Sequence, residues 1–165
     1  MSSRIAKTLT LSALVAALAA CSSVPLDESS TSGSGQDGSG TSGVVMDPFN
    51  PESPLAQQRS VYFEFDSYTV PEQYRNMVEM HSNYLSNNTN ATVRIEGHAD
   101  ARGGSEYNLA LGQRRSDAVG RMMTLMGVSS SQIETISFGK ERPKATGNTE
   151  ADYAENRRAD IVYQR

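Results

Sequence analysis

RIEGHADARGGSEYNLALGQRRSDAVGRMMTLM, residues 94–126, is the stretch that decides the fold. Its pattern predicts a strand over residues 92–96, a Gly-rich polar loop over residues 97–104 and then a long amphipathic helix. Ser105 is the expected N-cap of that helix, because its hydroxyl can accept a hydrogen bond from the unpaired amides of the first turn. The helix is expected to end near Gly127.

Arg115 lies in the middle of the apolar face of this predicted helix. With about 100° between successive residues, that face carries Leu111, Ala118, Val119, Met122 and Met126. The opposite face carries Gln113, Asp117, Arg121 and Thr124, and Arg114 lies at the edge, where it can reach water. A guanidinium keeps its proton and is costly to bury without an anion, so Arg115 needs a negatively charged or strongly polar partner.

Asp100 is the nearest candidate for that partner. It lies in the loop that joins the carboxyl end of the strand to the helix, above the first turns from which Asn108 and Arg115 project. Such crevices bind ligands readily, because free backbone amides of a helix N-terminus point into them. Two interpretations stay open at this point: a salt bridge between Asp100 and Arg115 that only fixes the loop, or an acid and a base that flank a ligand cleft.

The composition indicates one folded domain with appended segments. The 165 residues carry a net charge of -4, and no basic cluster is present, so nucleic acid is not an expected partner. The single cysteine, Cys21, excludes an intramolecular disulfide.

The N-terminal segment has the pattern of a secretory signal. Residues 1–20 combine early basic residues with an apolar run that is too short to span a bilayer comfortably. Residues 18–21, LAAC, resemble the bacterial lipobox, in which the cysteine receives a diacylglycerol group and an N-acyl chain after cleavage. Ser22 resembles the signal for outer-membrane sorting. The alternative is an ordinary signal peptide that leaves Cys21 as a free thiol.

The segment that follows is expected to be a flexible linker. Residues 21–58 are rich in Ser and Gly and then in Pro, without a periodic apolar pattern. A coil of this length has a root-mean-square span of about 35 Å. The folded domain is therefore expected over residues 59–165.

Five further elements are predicted in that domain. Val61, Phe63 and Phe65 alternate as in a strand that ends at Asp66 and Ser67. The second element is a helix that starts at Pro71 and ends near Asn88, with apolar spacing over Tyr74, Met77, Val78, His81 and Leu85. His81 is interpreted as a packed histidine with one hydrogen-bonded nitrogen, not as a metal ligand. Three elements complete the domain: a strand at Ile133, Ile136 and Phe138, a helix over residues 150–158, and a strand over residues 160–163. The helix carries acids early and bases late, which suits its dipole.

This order predicts an α/β fold of the α+β sandwich type. The sequence of elements is β-α-β-α-β-α-β, with a four-stranded mixed sheet and helices mainly on one face.

Four separate motifs resemble one known family. FEFDS at residues 63–67, EGHADARGGSEYNLALGQRR at 96–115, SFGKERP at 137–143 and NRRADIVY at 156–163 are similar to the OmpA C-terminal-like peptidoglycan-binding domain. With the lipobox and the linker in front of the domain, the resemblance covers essentially the whole mature protein. The sequence departs from the family pattern at Ala101, where an acidic residue is frequent. This difference changes the charge of the loop.

The resemblance implies a non-enzymatic binding site for the diaminopimelate of the peptidoglycan stem peptide, without cofactor or metal. Asp100 would bind the ammonium of that residue and Arg115 its carboxylate. The full set of ligand-binding residues that the resemblance implies is Asp66, Asp100, Arg102, Asn108, Leu109 and Arg115.

The same resemblance, together with the lipobox, implies an outer-membrane lipoprotein whose domain lies in the periplasm. Peptidoglycan, outer-membrane lipid bound through Cys21 and a TolB-like β-propeller of the Tol system are the implied partners, with a role in envelope integrity and cell division. One alternative is a wall-binding lipoprotein outside the Tol system. Another is a peptide hydrolase that uses His98 with Asp100, although the sequence has neither a suitable nucleophile nor a metal-binding set.

Overall fold

The computed structural model describes residues 46–165. The expected signal peptide, the acylated Cys21 and most of the expected linker lie outside the described residues. Within residues 46–165, no helix has the length and apolar content needed to cross a membrane.

The fold is built on one mixed sheet, as predicted. Its strands are β1 Ser60–Tyr62, β2 Val93–His98, β3 Ile133–Gly139 and β4 Arg158–Tyr163. They lie in the order β1-β4-β2-β3. Strands β2 and β3 are parallel because a helix carries the chain back between them, and β4 runs antiparallel to both β1 and β2.

The helices are α1 Pro54–Gln57, α2 Arg75–Asn87, α3 Ser105–Leu125 and α4 Glu150–Asn156. A short 3-10 turn, Glu72–Tyr74, leads into α2, and another, Ser130–Gln132, leads into β3. Pro71 is the N-cap of the first of these turns, so the predicted helix start is confirmed to within one residue.

The core lies between the sheet and the two longer helices. Alternate residues of a strand point to the same face, and those of β2 and β4 that enter the core meet buried residues of α2 and α3. The participants are Val93, Ile95, Ala159, Ile161 and Tyr163 from the sheet, and Met77, Val78, Leu85, Val119 and Met123 from the helices. The prediction that the helices lie mainly on one face is confirmed.

The buried face of α3 differs in part from the predicted one. Leu111 and Val119 are buried, but Met122 and Met126 are only partly buried, and the fully buried Met123 was not predicted. The difference arises because small residues, which have little weight in an apolar pattern, contact the sheet directly. They are Gly112 and Gly120.

Several predicted boundaries were wrong. The helix α3 is capped by Gly104 without a side-chain hydrogen bond, and Ser105 is its first residue. Strand β1 ends at Tyr62, and Phe65 is 61 % exposed, because a turn with a positive φ of 55° at Asp66 redirects the chain. Arg158 begins β4 instead of ending α4. The bases therefore do not lie in the last turn of that helix.

The last part of the expected linker is folded. Ser53 caps α1 by accepting a hydrogen bond from the amide of Leu55, whose side chain is completely buried. The ring of Phe49 packs edge-on against Tyr163 at the end of β4. A single Leu in a polar stretch has no periodicity, so its burial becomes visible only once the surface it packs against is known.

Candidate functional site

A pocket of about 250 Å³ opens where the loops after β1 and β2 meet the start of α3. It is lined by Phe65, Asp66, Ala99, Asp100, Arg102, Gly103, Tyr107, Asn108, Leu111 and Arg115. The structure thus brings five of the six predicted ligand-binding residues together, and four of these five carry a charge: Asp66, Asp100, Arg102 and Arg115.

Arg115 forms the floor of this pocket. Its side chain is completely buried, and its guanidinium donates to the backbone carbonyls of Ser67 at 2.8 Å, His98 at 2.8 Å and Glu64 at 3.2 Å. Burial, and next the charge of Arg157, lower the pKa of Arg115 to about 10, so it remains a cation at neutral pH. The structure therefore presents a fixed positive charge that is solvated by carbonyl oxygens.

Asp100 is the buried acid of the pocket, and it pairs with Arg102 and Arg157 instead of Arg115. Its Oδ2 lies 2.6 Å from Nη2 of Arg102 and 3.5 Å from Nη1 of Arg157. Burial raises the pKa of Asp100, but the hydrogen bonds from Arg102 outweigh it and the net shift is downward. In the described part of the chain, the internal salt bridge between Asp100 and Arg115 is not formed.

Arg102 covers Asp100 from the solvent side. Its guanidinium lies between two aromatic rings, 4.4 Å from the centroid of Phe65 and 4.3 Å from that of Tyr153. Its Nη1 also reaches Glu150 at 3.3 Å. The hydrogen bond to Asp100 is the main reason why the pKa of Arg102 is raised.

Asp66 is a second carboxylate, at the mouth of the pocket. It is exposed, and it accepts a hydrogen bond from the hydroxyl of Tyr107, which raises the pKa of that tyrosine. The turn at Asp66, with its positive φ, places the carboxylate beside the first turn of α3.

Asn108 holds the loop in place. Its side chain is buried, and its Nδ2 donates to the carbonyl of Arg102 at 2.7 Å. Leu109, in contrast, is not among the residues that line the pocket and is 51 % exposed, so its contact with a ligand stays a prediction. One residue along a helix turns the side chain by about 100°, and the apolar wall is supplied by Leu111.

The structure separates His98 from the pocket. Its ring is buried, stacks on Phe138 and lies 3.5 Å from Asp160, whereas its backbone carbonyl faces Arg115. Burial, and next the charge of Arg158, lower the pKa of His98 to about 4. A catalytic pair of His98 with Asp100 is therefore not formed. His98 contributes to the site through its backbone carbonyl, which accepts from Arg115, whereas neither ring nitrogen has a hydrogen-bond partner within the described residues.

Three residues near the end of the chain support the site and were not predicted to do so. They are Glu150 and Tyr153 of α4, and Arg157, which donates to the carbonyl of Phe63 at 3.0 Å. The consecutive Arg157 and Arg158, placed directly before a strand with an apolar pattern, were the available signal. No group of three or more His, Cys, Asp or Glu within residues 46–165 is arranged to hold a metal ion.

Comparison with known proteins gives consistent results. Residues 62–157 match the model of the OmpA family. The peptidoglycan-associated lipoprotein of Pasteurella multocida is 40 % identical over 160 residues, which are 97 % of this chain and 99 % of the relative.

Solved structures agree with this assignment. The peptidoglycan-associated lipoprotein of Burkholderia pseudomallei is 52 % identical with a TM-score of 0.69, over 71 % of this chain and 98 % of that one. The C-terminal domain of Helicobacter pylori MotB has a TM-score of 0.60 over 64 % of this chain and 84 % of that one, but only 18 % identity, and it shows the fold alone. The chain belongs to the OmpA family and, within it, to the peptidoglycan-associated lipoproteins.

Proposed function

We propose that this protein is an outer-membrane lipoprotein that binds peptidoglycan non-covalently through the diaminopimelate of the stem peptide. The names of its relatives support peptidoglycan as the polymer that it binds, since they are called peptidoglycan-associated lipoproteins. The chemistry of the pocket supports diaminopimelate as the part of the polymer that is recognised.

The observation that carries the proposal is the buried guanidinium of Arg115 at the floor of the pocket. Diaminopimelate that is not used in a cross-link ends in an ammonium and a carboxylate on the same carbon. In the proposed complex, Arg115 binds the carboxylate, Asp100 binds the ammonium, and Asp66 and Asn108 form the wall. Each charge-assisted hydrogen bond contributes about 1.5–3 kcal/mol, so two or three of them give a modest affinity.

Tethering makes a modest affinity sufficient. The acyl chains on Cys21 would each contribute about 0.8 kcal/mol per buried methylene, which holds the protein at the outer membrane with its domain in the periplasm. Many copies facing one polymeric wall then bind with avidity. The proposed role is to anchor the outer membrane to the cell wall.

A TolB-like β-propeller is the second proposed partner, which would connect the protein to envelope constriction at cell division. Its support is the relationship to the peptidoglycan-associated lipoproteins. A pull-down with purified TolB tests it: retention of the protein is expected. Loss of retention with intact wall binding would favour a wall-binding lipoprotein outside the Tol system.

The central experiment is co-sedimentation of the protein with purified sacculi. We expect Asp100→Asn and Arg115→Lys to abolish sedimentation, because each removes one half of the recognition of the zwitterion. Glu134→Gln and Arg121→Lys are matched controls on exposed positions of β3 and α3 and should sediment like the unaltered protein. Unchanged sedimentation of Asp100→Asn and Arg115→Lys would refute the site.

The proposal assigns no catalytic step to this pocket, because its two carboxylates are assigned to ligand binding and its lining contains no Ser, Cys or His. Incubation of the protein with muropeptides, followed by mass spectrometry, is expected to return them unchanged. New hydrolysis products would require a different function.

A further inference from the structure

We infer that Arg102 sets the ligand specificity of the pocket, by occupying Asp100 until a ligand brings its own carboxylate beside its ammonium. This inference rests on the proposed function and adds to it the property that selects one stem peptide over another.

Arg102 saturates the carboxylate that the ligand needs. Its Nε and backbone amide donate to Oδ1 of Asp100 at 3.2 and 3.1 Å, and its Nη2 donates to Oδ2 at 2.6 Å. The side chain of Asp100 is only 8 % exposed. An incoming ammonium therefore reaches Asp100 only if the side chain of Arg102 leaves it.

Among the arginines that line or support the pocket, Arg102 has the most exposed side chain. It is 37 % exposed, whereas that of Arg157 is 7 % exposed and Arg115 is completely buried. The backbone stays in place, because Asn108 binds the carbonyl of Arg102. The guanidinium lies 4.4 Å from the ring centroid of Phe65, and that ring is 61 % exposed and lines the pocket.

The charge balance then decides which ligand can displace it. A lone ammonium replaces one cation at Asp100 by another, and Arg102 loses its buried carboxylate and retains only the exposed Glu150. A zwitterionic amino-acid end supplies the missing carboxylate, to which both the displaced Arg102 and the fixed Arg115 can donate. Displacement of Arg102 therefore leaves every charge paired only when the ligand is a zwitterion.

The ligand class that follows is a free α-amino-acid end on a peptide. Stem peptides with an unmodified meso-diaminopimelate belong to it. Stems with lysine at that position have the ammonium without the carboxylate, and stems with amidated diaminopimelate have a carboxamide in its place. Both of these are expected to be rejected.

The test is calorimetric titration of the full chain in detergent with three tripeptides. They are L-Ala-γ-D-Glu with meso-diaminopimelate, the same peptide amidated at the D-centre, and L-Ala-γ-D-Glu-L-Lys. For the unaltered protein we expect the second and third to bind about 10- to 100-fold more weakly than the first, which is the loss of one charge-assisted pair.

Arg102→Met keeps a long side chain between the two rings but removes the competing cation. We expect it to bind the lysine and amidated peptides more tightly than the unaltered protein does, so that the preference for the first peptide falls by about tenfold. Arg102→Lys restores a cation and should restore the preference. A purely structural role of Arg102 would change all three affinities together.

An equal loss of affinity for all three peptides in Arg102→Met would overturn the inference and leave the proposed function standing, with Arg102 as a simple contact. Failure of the unaltered protein to bind the first peptide would refute the proposed function, and the inference with it.

Discussion

Arg115 shows how one residue can serve both the fold and the ligand. Its guanidinium joins the carbonyls of Glu64 and Ser67, in the loop after β1, to the carbonyl of His98 at the end of β2. Three carbonyls lower the cost of burying the cation, but they carry no net charge. The positive charge of Arg115 therefore remains available to an anion in the pocket.

Arg115→Lys should lower stability as well as binding. An ammonium is a compact donor that cannot span three carbonyls, so at least one buried acceptor loses its partner. We expect a loss of about 2–4 kcal/mol in the free energy of unfolding, measured by urea denaturation. The exposed Arg121→Lys should change it by less than about 0.5 kcal/mol. An unchanged unfolding midpoint for Arg115→Lys would contradict this role.

His81 makes stability depend on pH. Its Nε2 donates to the carbonyl of Gln58 at 2.6 Å and its Nδ1 accepts from the hydroxyl of Tyr163 at 2.9 Å, so both nitrogens have partners and not only the predicted one. Burial is the main cause that lowers the pKa of His81 to about 4, and the pKa of His98 is lowered to about 4 as well.

Below the ordinary histidine pKa of about 6.5, the unfolded chain therefore binds more protons than the folded protein does. Stability should be complete above pH 6.5 and fall as the pH decreases toward 4, by up to about 3 kcal/mol for each histidine. Urea titrations at pH 7 and pH 5 measure the difference. His81→Gln keeps a donor and an acceptor but does not titrate, so its pH dependence should be weaker. An equal slope in both proteins would exclude His81 as a source.

At the level of elements, the contact between β2 and α3 positions the site. A Cβ atom at Gly97 would lie 1.9 Å from the carbonyl oxygen of Gly112, so the two backbones touch directly. The loop that carries Asp100 lies between these two elements. The distance between Asp100 and Arg115 is therefore set by how closely the helix approaches the strand.

Gly112→Ala should destabilise the protein by about 1–3 kcal/mol, despite the better helix propensity of alanine. Its Cβ would lie 2.3 Å from Oγ of Ser137 and 2.9 Å from the carbonyl oxygen of Gly97. Gly120→Ala is a matched control on the same helix face, since its Cβ would meet only methyl groups, the nearest at 3.1 Å. Thermal unfolding should show a clearly lower midpoint for Gly112→Ala than for Gly120→Ala, and the reverse order would refute the close approach.

At the level of the whole molecule, the folded unit extends beyond the predicted domain. Arg59 donates to the carbonyl of Leu55 at 3.0 Å and also to that of Pro48, which holds α1 and the preceding turn against the sheet. The guanidinium of Arg165 lies 5.0 Å from the ring of Phe49. The first described residues and the last residue of the chain therefore belong to one packed region.

Leu55→Ala tests this region. Leu55 is completely buried, so its truncation should cost about 2–5 kcal/mol of unfolding free energy. Leu125 is 88 % exposed, and Leu125→Ala should cost less than about 0.5 kcal/mol. Urea denaturation of both variants measures the contrast. Equal stability of the two would mean that the segment before β1 contributes nothing to the fold.

Local pattern was enough for the type and order of the elements from β1 onward and for the burial of Arg115. Both follow from the spacing of apolar residues along single helices and strands, which is visible in the sequence itself. The place of Asp100 and Asn108 beside Arg115 also follows, because all three lie within one strand-loop-helix unit.

The pairing of Asp100 with Arg157, the stacking of Arg102 on Tyr153 and the burial of Leu55 followed only from the folded chain. In each case the partner surface is built from segments far apart in sequence, such as α4 and β4 around the loop after β2. Packing and charge neutralisation between such segments depend on distances in space, and no periodicity along the chain encodes those distances.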